Sequence, residues 1–182
     1  MSQDPRIYGH IPNVPVFTTF RSRDALIRAG VHGQSQAGIH GDSKDGGGAF
    51  SICVSGGYED NVDNGETIVY VGSGGQNSRG EQTADQSFDD SRNRSLQISC
   101  ETARPVRVIR GRNKKSFYAP ASGYRYDGLY VVVRAEMRRG KEGHNMCFFE
   151  LQRVREEGDK DLPNRRRLDT RRLARMLRQA RK

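Results

Sequence analysis

A mainly β fold with a few short helices, of the α+β class, is predicted by three observations on this 182-residue chain. Short runs rich in β-branched and aromatic residues recur at 49–54, 67–71, 95–99, 106–109, 129–133 and 146–151, mostly bounded by Gly, Asn, Asp or Pro. Many of the 21 glycines cluster at 38–48, 56–57, 65 and 72–80, which cuts residues 31–95 into pieces joined by loops. The strand spacing is irregular, as expected for a barrel or a strongly bent sheet.

Taken in order, the first helix is expected at 22–29, with Ser22 as N-cap and Gly30 as the stop. Asn64-Gly65 carries the strongest short-range hairpin signal and folds the segment around Tyr58 back toward that around Tyr70. Asp127-Gly128 repeats the signal before Leu129, so Tyr126-Asp127-Gly128 is expected to fix a hairpin and to be structural. A last helix is expected at 170–180, where Leu173, Met176, Leu177 and Ala180 recur at helical spacing among Arg171, Arg172, Arg175, Arg178 and Arg181. Its apolar stripe packs on the domain, or its basic face serves a phosphate, a nuclear-import receptor or a membrane surface; Arg165-Arg166-Arg167 favours nuclear import or DNA.

Composition narrows the function classes. The hydrophobic content is 34%, there is no Trp, and no apolar run is long enough for a spanning helix or a secretory segment, so an intracellular protein without membrane attachment is expected. Net charge is +9, of which +7 falls in residues 151–182, a pattern that points to a polyanionic partner. Cys53, Cys100 and Cys147 never form a C-x-x-C pair and sit beside apolar neighbours, as expected for buried reduced thiols with no metal or redox role.

Two stretches carry chemistry: Ala37-Gly38-Ile39-His40-Gly41, and Ser55-Gly56-Gly57-Tyr58-Glu59-Asp60-Asn61 continuing to Tyr70-Val71-Gly72-Ser73-Gly74-Gly75. Two aromatic rings, a carboxamide, a hydroxyl and glycines that admit close backbone approach suit a planar, hydrogen-bonding guest such as a base. On residue chemistry alone, loop punctuation and core tyrosines are the competing explanation.

With Tyr8-Gly9-His10-Ile11-Pro12, Ala84-Asp85-Gln86-Ser87 and Gly123-Tyr124-Arg125-Tyr126-Asp127-Gly128, these motifs stand in the order of the SET- and RING-associated domain, also called the YDG domain, which the chain closely resembles from about Tyr8 to Arg153. The resemblance implies a crescent-like bent β-barrel over 1–157, followed by a basic tail at 158–182. It implies a non-enzymatic reader that flips 5-methylcytosine out of duplex DNA. Tyr58 and Tyr70 would stack on the base. Ser55, Gly56, Gly57 and Val71 would offer backbone groups, and Ser73 would lie near the 5-methyl. Asn61 would read the N4 and N3 edge, where animal maintenance readers carry aspartate. An amide suits neutral cytosine, and turned around it suits thymine.

Groove and backbone contacts are expected from Gln36, His40, Gln76, Arg79 and Gln82. Arg107, Arg110, Arg112, Lys114 and Lys115 form a basic cluster that is either a solvated edge or a set of phosphate contacts. Gly80-Glu81-Gln82-Thr83 replaces the longer basic finger of maintenance readers, which implies weaker discrimination between hemimethylated and fully methylated sites. The expected partners are methylated duplex DNA, with CpG context, and a DNA methyltransferase or histone-modifying protein; the expected setting is the nucleus, with no cofactor. The alternatives are a general DNA binder acting through its basic tail, and a modification-dependent nuclease for which Asp42-Ser43-Lys44 and His144-Asn145 are the only hints.

Overall fold

The computed structural model describes residues 2–179, apart from the side chains of 167–169. The elements run β1 (Thr19–Phe20), α1 (Arg23–Arg28), β2 (Ile39–Asp42), β3 (Gly48–Val54), β4 (Val62–Asp63), β5 (Thr67–Val71), α2 (Ser91–Thr102), β6 (Val106–Gly111), β7 (Tyr124–Arg139), β8 (Asn145–Arg153) and α3 (Arg165–Gln179). They form one sheet in the order β2-β3-β6-β7-β8-β5-β4, with β1 paired to the start of β7. All neighbours are antiparallel except β3 and β6, which the α2 crossover joins in parallel.

The sheet stays open, and its two ends curve around a shared core. Ile39 of β2 and Ile68 and Tyr70 of β5 belong to the same buried cluster as Ile52, Val108, Tyr130, Val132 and Phe149. This bend gives the crescent shape and brings the edge strand β2 opposite the edge hairpin β4–β5. Asn64-Gly65 makes the hairpin as expected, pairing Val62 with Val69 and Asp63 with Ile68. Helix α1 is capped by the Ser22 hydroxyl, which accepts from the Ala25 N–H at 3.2 Å.

Two elements depart from the sequence expectation. Residues 95–99 lie in helix α2, not in a strand. Asn93, Ser95 and Ser99 are buried in it beside Leu96 and Ile98, so its inner face is largely polar and shows no helical apolar stripe. Asp90 caps it by accepting from the Arg92 and Asn93 N–H groups, and the Ser99 hydroxyl accepts from the Ala49 N–H at 2.9 Å to dock it on β3. Asp127-Gly128, in turn, makes no hairpin. It lies inside β7, where Arg107 pairs with Leu129 and Ile109 with Tyr126, so two residues of β7 oppose Val108. This is a β-bulge, and Gly128, at φ 94°, adopts the left-handed conformation it requires.

Cys53 and Cys147 are buried and Cys100 is half-buried. Helix α3 begins on the domain: the Arg165 N–H donates to the Phe117 carbonyl at 2.8 Å, and its guanidinium donates to the Asn113 and Ser116 carbonyls at 3.0 and 2.6 Å. Leu173, Met176 and Leu177 are each more than half exposed, so the stripe does not pack on the domain. Ala180 and Arg181 lie outside the described residues. No helix among the described residues is long and apolar enough to cross a membrane.

Candidate nucleic-acid interface

A cavity of about 250 Å3 opens where the two ends of the sheet face each other. It brings together Gln36, Ser55, Gly57, Tyr58, Asn61, Tyr70, Ser73 and Gln76 from the expected contacts and Ala37, Gly38, Ile39 and Gly72 from the two stretches singled out, and adds Arg23 and Cys53. Gly56 lines a smaller neighbouring cavity with Tyr58, Asn61 and Lys115. Val71 is fully buried and forms no part of the wall, but its N–H donates to Asn61 Oδ1 at 2.8 Å.

The tyrosines differ in setting. Tyr70 is buried, and burial drives its hydroxyl far above the ordinary phenol value. Tyr58 is half-buried, packs against Val71, Met146 and Phe148, and has its hydroxyl met by the Gly74 backbone and the Gln86 amide. Its pKa is also raised by burial. Both rings are therefore neutral and line the cavity.

The opposite lip is fixed by His32. Burial lowers its pKa to about 3, so the ring is neutral. Nε2–H donates to the Ala37 carbonyl at 2.9 Å, which leaves Nδ1 to accept from the Ser51 hydroxyl at 2.7 Å. Gly38, next in the chain, has no room for a side chain: a β-carbon there would stand 2.5 Å from the Tyr70 hydroxyl oxygen. Gly38→Ala is expected to push the Tyr70 ring into the cavity. Affinity for a planar guest should fall by roughly tenfold, a loss of about 1.4 kcal/mol of stacking, and because Tyr70 is also a core residue the melting temperature should fall with it. Titration and thermal melting of the same variant check this.

The third wall is the 72–86 loop, held by Asn93 and Arg92 of α2, which the sequence expectation did not include, together with Gln86 of the 84–87 motif and Gln76. Asn93 of α2 accepts from the Ser73 N–H at 2.7 Å and donates to the Ser73 and Ser87 carbonyls, both at 2.9 Å. Gln86 donates to the Gly72 carbonyl at 2.8 Å and accepts from the Cys147 N–H at 3.0 Å. Arg92 reaches the Ser73 hydroxyl at 3.2 Å. Gln76 staples the loop across to the Gly57 carbonyl at 3.2 Å. Arg79 stands exposed in the turn of the loop, beside Gly80.

Arg23 was missed as well. It lies in α1, a segment read only for its caps, yet its guanidinium lines the cavity beside Tyr124, with Nη1 buried and without a hydrogen-bond partner among the described residues. An orphaned buried donor of this kind costs on the order of 1–3 kcal/mol unless a guest supplies an acceptor.

Four expected DNA contacts are corrected. Arg107 is fully buried in the middle of the sheet, where its guanidinium donates to the carbonyls of Ile7, Val31, Gly9 and Pro5 and ties down the N-terminal segment; burial lowers its pKa to about 10. Arg110 is fully buried and salt-bridged to Asp63 at 2.7 Å and Asp127 at 2.9 Å. Strand β6 lies between β3 and β7, both of its faces are covered, and its arginines therefore bond inward. His40 points into the domain, its ring 5.0 Å from that of Phe50. Gln82 is buried, its amide donating to the Gly74 and Ala84 carbonyls.

Arg112, Lys114 and Lys115 of the same cluster are exposed. Their loop adjoins the 55–57 lip, since a β-carbon at Gly56 would stand 2.8 Å from the Asn113 amide. Replacing all three cations by Gln is expected to lower the slope of log affinity against log salt by about 0.9 for each phosphate that is no longer neutralised. Affinities measured across a salt series test this.

The SAD/SRA domain model matches residues 7–157. A UHRF1-like protein of Cryptococcus neoformans is 40% identical over 167 residues, covering 85% of this chain and 48% of that protein. Among solved structures, the modification-dependent TagI restriction endonuclease superposes with a TM-score of 0.78 at 40% identity, covering 85% of this chain and 54% of that one. The SUVH5 SRA domain in complex with fully methylated CG DNA superposes with a TM-score of 0.72 at 37% identity, covering 86% of this chain and 99% of that one. The chain spans about half or less of the length of the curated relatives it matches. With its open curved sheet and its tyrosine-lined cavity between the sheet ends, the chain belongs to the SAD/SRA domain family.

Proposed function

We propose that this chain reads methylated duplex DNA by flipping a 5-methylcytosine into the cavity between Tyr58 and Tyr70. The observation that carries this reading is the cavity itself, where two neutral rings, the Asn61 amide and the Ser55–Gly57 backbone converge on a volume suited to one base. Membership of a family whose SUVH5 member was solved on methylated CG DNA supports the same guest. Stacking offsets the few kcal/mol of unstacking that flipping costs. Ser55 and Gly57 offer backbone groups in the wall, Gly56 and Val71 act behind it, the latter by holding Asn61, and Ser73 lies toward the 5-substituent. Gln36 and Gln76 stand at the rim toward the grooves. Arg79, Arg112, Lys114 and Lys115 hold phosphates.

Residues 1–157 form the reading unit, and 158–182 form a basic extension whose helix starts beside the 112–117 loop. The unit binds without catalysis. Cys53, the thiol in the wall, is pushed up by burial and stays protonated, so it is no nucleophile for the base. Within the nucleus such a chain would bring a DNA methyltransferase or a histone-modifying partner to methylated CpG sites. The test is affinity for matched duplexes with and without the methyl group, in the full chain and in one ending at residue 158: tighter binding to the methylated duplex in both supports the reading. Equal binding that the truncation abolishes supports the basic tail as a general DNA binder.

A further inference from the structure

The β7–β8 ladder ends at the pair Arg139 and Asn145 and closes in a turn at 140–144. The turn is locked on itself: the Gly140 N–H donates to the His144 carbonyl at 2.8 Å, and the Gly143 N–H donates to the Gly140 carbonyl at 2.9 Å, with Gly143 at φ 85°. Its Lys141 and Glu142 are exposed and line neither of the two cavities, yet they reach different walls. On one side the Lys141 N–H donates to both carboxylate oxygens of Asp60, at 3.2 and 3.3 Å, and Nζ donates to the Glu59 carbonyl at 3.3 Å. On the other, Glu142 Oε2 accepts from the Gln82 N–H at 2.8 Å. Asn145 holds the same loop further along, its N–H donating to Asp85 Oδ1 at 2.9 Å and its carbonyl accepting from the Gln86 N–H at 2.8 Å. Gly140 fits closely behind the first contact, since a β-carbon there would stand 2.8 Å from Met146 Cγ and 3.0 Å from Asp60 Oδ2. Met146 belongs to the cluster on which Tyr58 packs.

One hydrogen-bonded turn thus grips the segment that follows Tyr58 and the loop that forms the third wall. On the reading given under Proposed function, we propose that the 140–144 turn is a clamp that fixes the gap between Tyr58 and the 72–86 loop, with Asp60 and Glu142 as positioning residues that act from outside the cavity. A base can stack only between walls already at the right separation, and a wall left free has to be ordered when the guest arrives, at the expense of affinity. Bonds from a carboxylate to backbone N–H groups suit this task, being roughly twice as strong as neutral ones. The carboxylates serve here as acceptors. As bare charges beside a DNA-binding surface they would only repel phosphates.

The test titrates the full chain and its variants with one methylated duplex and its unmethylated match. Asp60→Ala and Glu142→Ala should each lower affinity for the methylated duplex by roughly three- to tenfold, with the unmethylated duplex held within about twofold. Asp60→Asn and Glu142→Gln lose the charge but keep an oxygen that accepts the same N–H, so they should stay within about twofold of the unmodified chain on both duplexes. The double alanine variant should lose no more than about twofold beyond the weaker single variant, because releasing either end already frees the gap. Both side chains lie outside the buried clusters, so melting curves of all these variants should stay within a few degrees of one another. Alanine and amide variants that behave alike overturn the proposal, since the carboxylates would then act by charge alone. Losses that multiply in the double variant overturn it too, as they mark two independent props. If the unmodified chain binds the two duplexes equally, the reader function fails first and this proposal with it.

Discussion

Tyr58→Ala is expected to abolish most of the preference for a methylated duplex while leaving the protein folded. The ring forms one side of the cavity and contributes about 1–3 kcal/mol of stacking, which corresponds to a loss of roughly five- to 150-fold. Because the residue is half-buried and packs against the satellite cluster of Val71, Met146 and Phe148 and is no member of the central one, its removal leaves the central core intact. Tyr58→Phe keeps the ring and removes only the hydroxyl that meets Gly74 and Gln86, so its affinity should stay close to that of the unmodified chain. Titration of both variants with methylated and unmethylated duplexes, with melting curves alongside, checks the pair. Unchanged affinity in the alanine variant would remove the stacking role.

The largest effect on stability is expected at Asp127. This carboxylate is fully buried and bridges Arg110 at 2.9 Å and Arg125 at 2.5 Å, while Arg110 continues to Asp63, the Tyr130 hydroxyl and the Gly65 carbonyl. The network links the β7 bulge to the Asn64-Gly65 turn, and so to the hairpin that carries Asn61 and Tyr70. Asp127→Ala leaves two buried guanidinium groups short of their counter-charge, a change that costs about 3–5 kcal/mol and lowers the melting temperature by roughly 6–20 °C.

The same network sets an acid limit. Burial alone would raise the Asp63 pKa, but the hydrogen bonds and charge of Arg110, with help from Ser116 and the Gly65 N–H, hold it below the ordinary value. A carboxylate depressed in the folded state contributes stability above its unfolded pKa, and that contribution is lost as pH falls through the lower folded value. Melting temperature should therefore decline below about pH 4 in the unmodified chain.

The parts of the fold that were legible in the sequence rest on local chemistry. Strands β3, β5, β6 and β8 carry β-branched and aromatic runs, the Asn-Gly turn defines its hairpin, and Ser22 caps α1. The rest depended on tertiary context. Helix α2 buries Ser and Asn against β2 and β3, so it lacks the apolar period that marks a helix. Asp127-Gly128 has the composition of a turn, but the long strand runs through it and uses the glycine for a bulge. Arg107 and Arg110 look like a basic surface in one dimension and prove to be buried cations, because nothing local tells that β6 is central in the sheet.

At the site, the residues named from the motifs largely surround one cavity, since a short hairpin and two glycine-rich lips bring them together. The supporting residues Arg23 and Asn93 come from α1 and α2, whose local sequence carries no ligand signal. Their roles exist only once α1 and α2 have docked.

The most direct measurement is the affinity of the full chain, at near-physiological salt, for one duplex with a single CpG in unmethylated, hemimethylated and fully methylated forms. Tighter binding to both methylated forms, lost in Tyr58→Ala and kept in the chain ending at residue 158, is the predicted result. Because the 80–83 turn offers the acidic Glu81 and no cation, the hemimethylated and fully methylated duplexes should bind within a few-fold of each other. Equal binding of all three duplexes, falling away when the basic extension is removed, would contradict the cavity as the reading site.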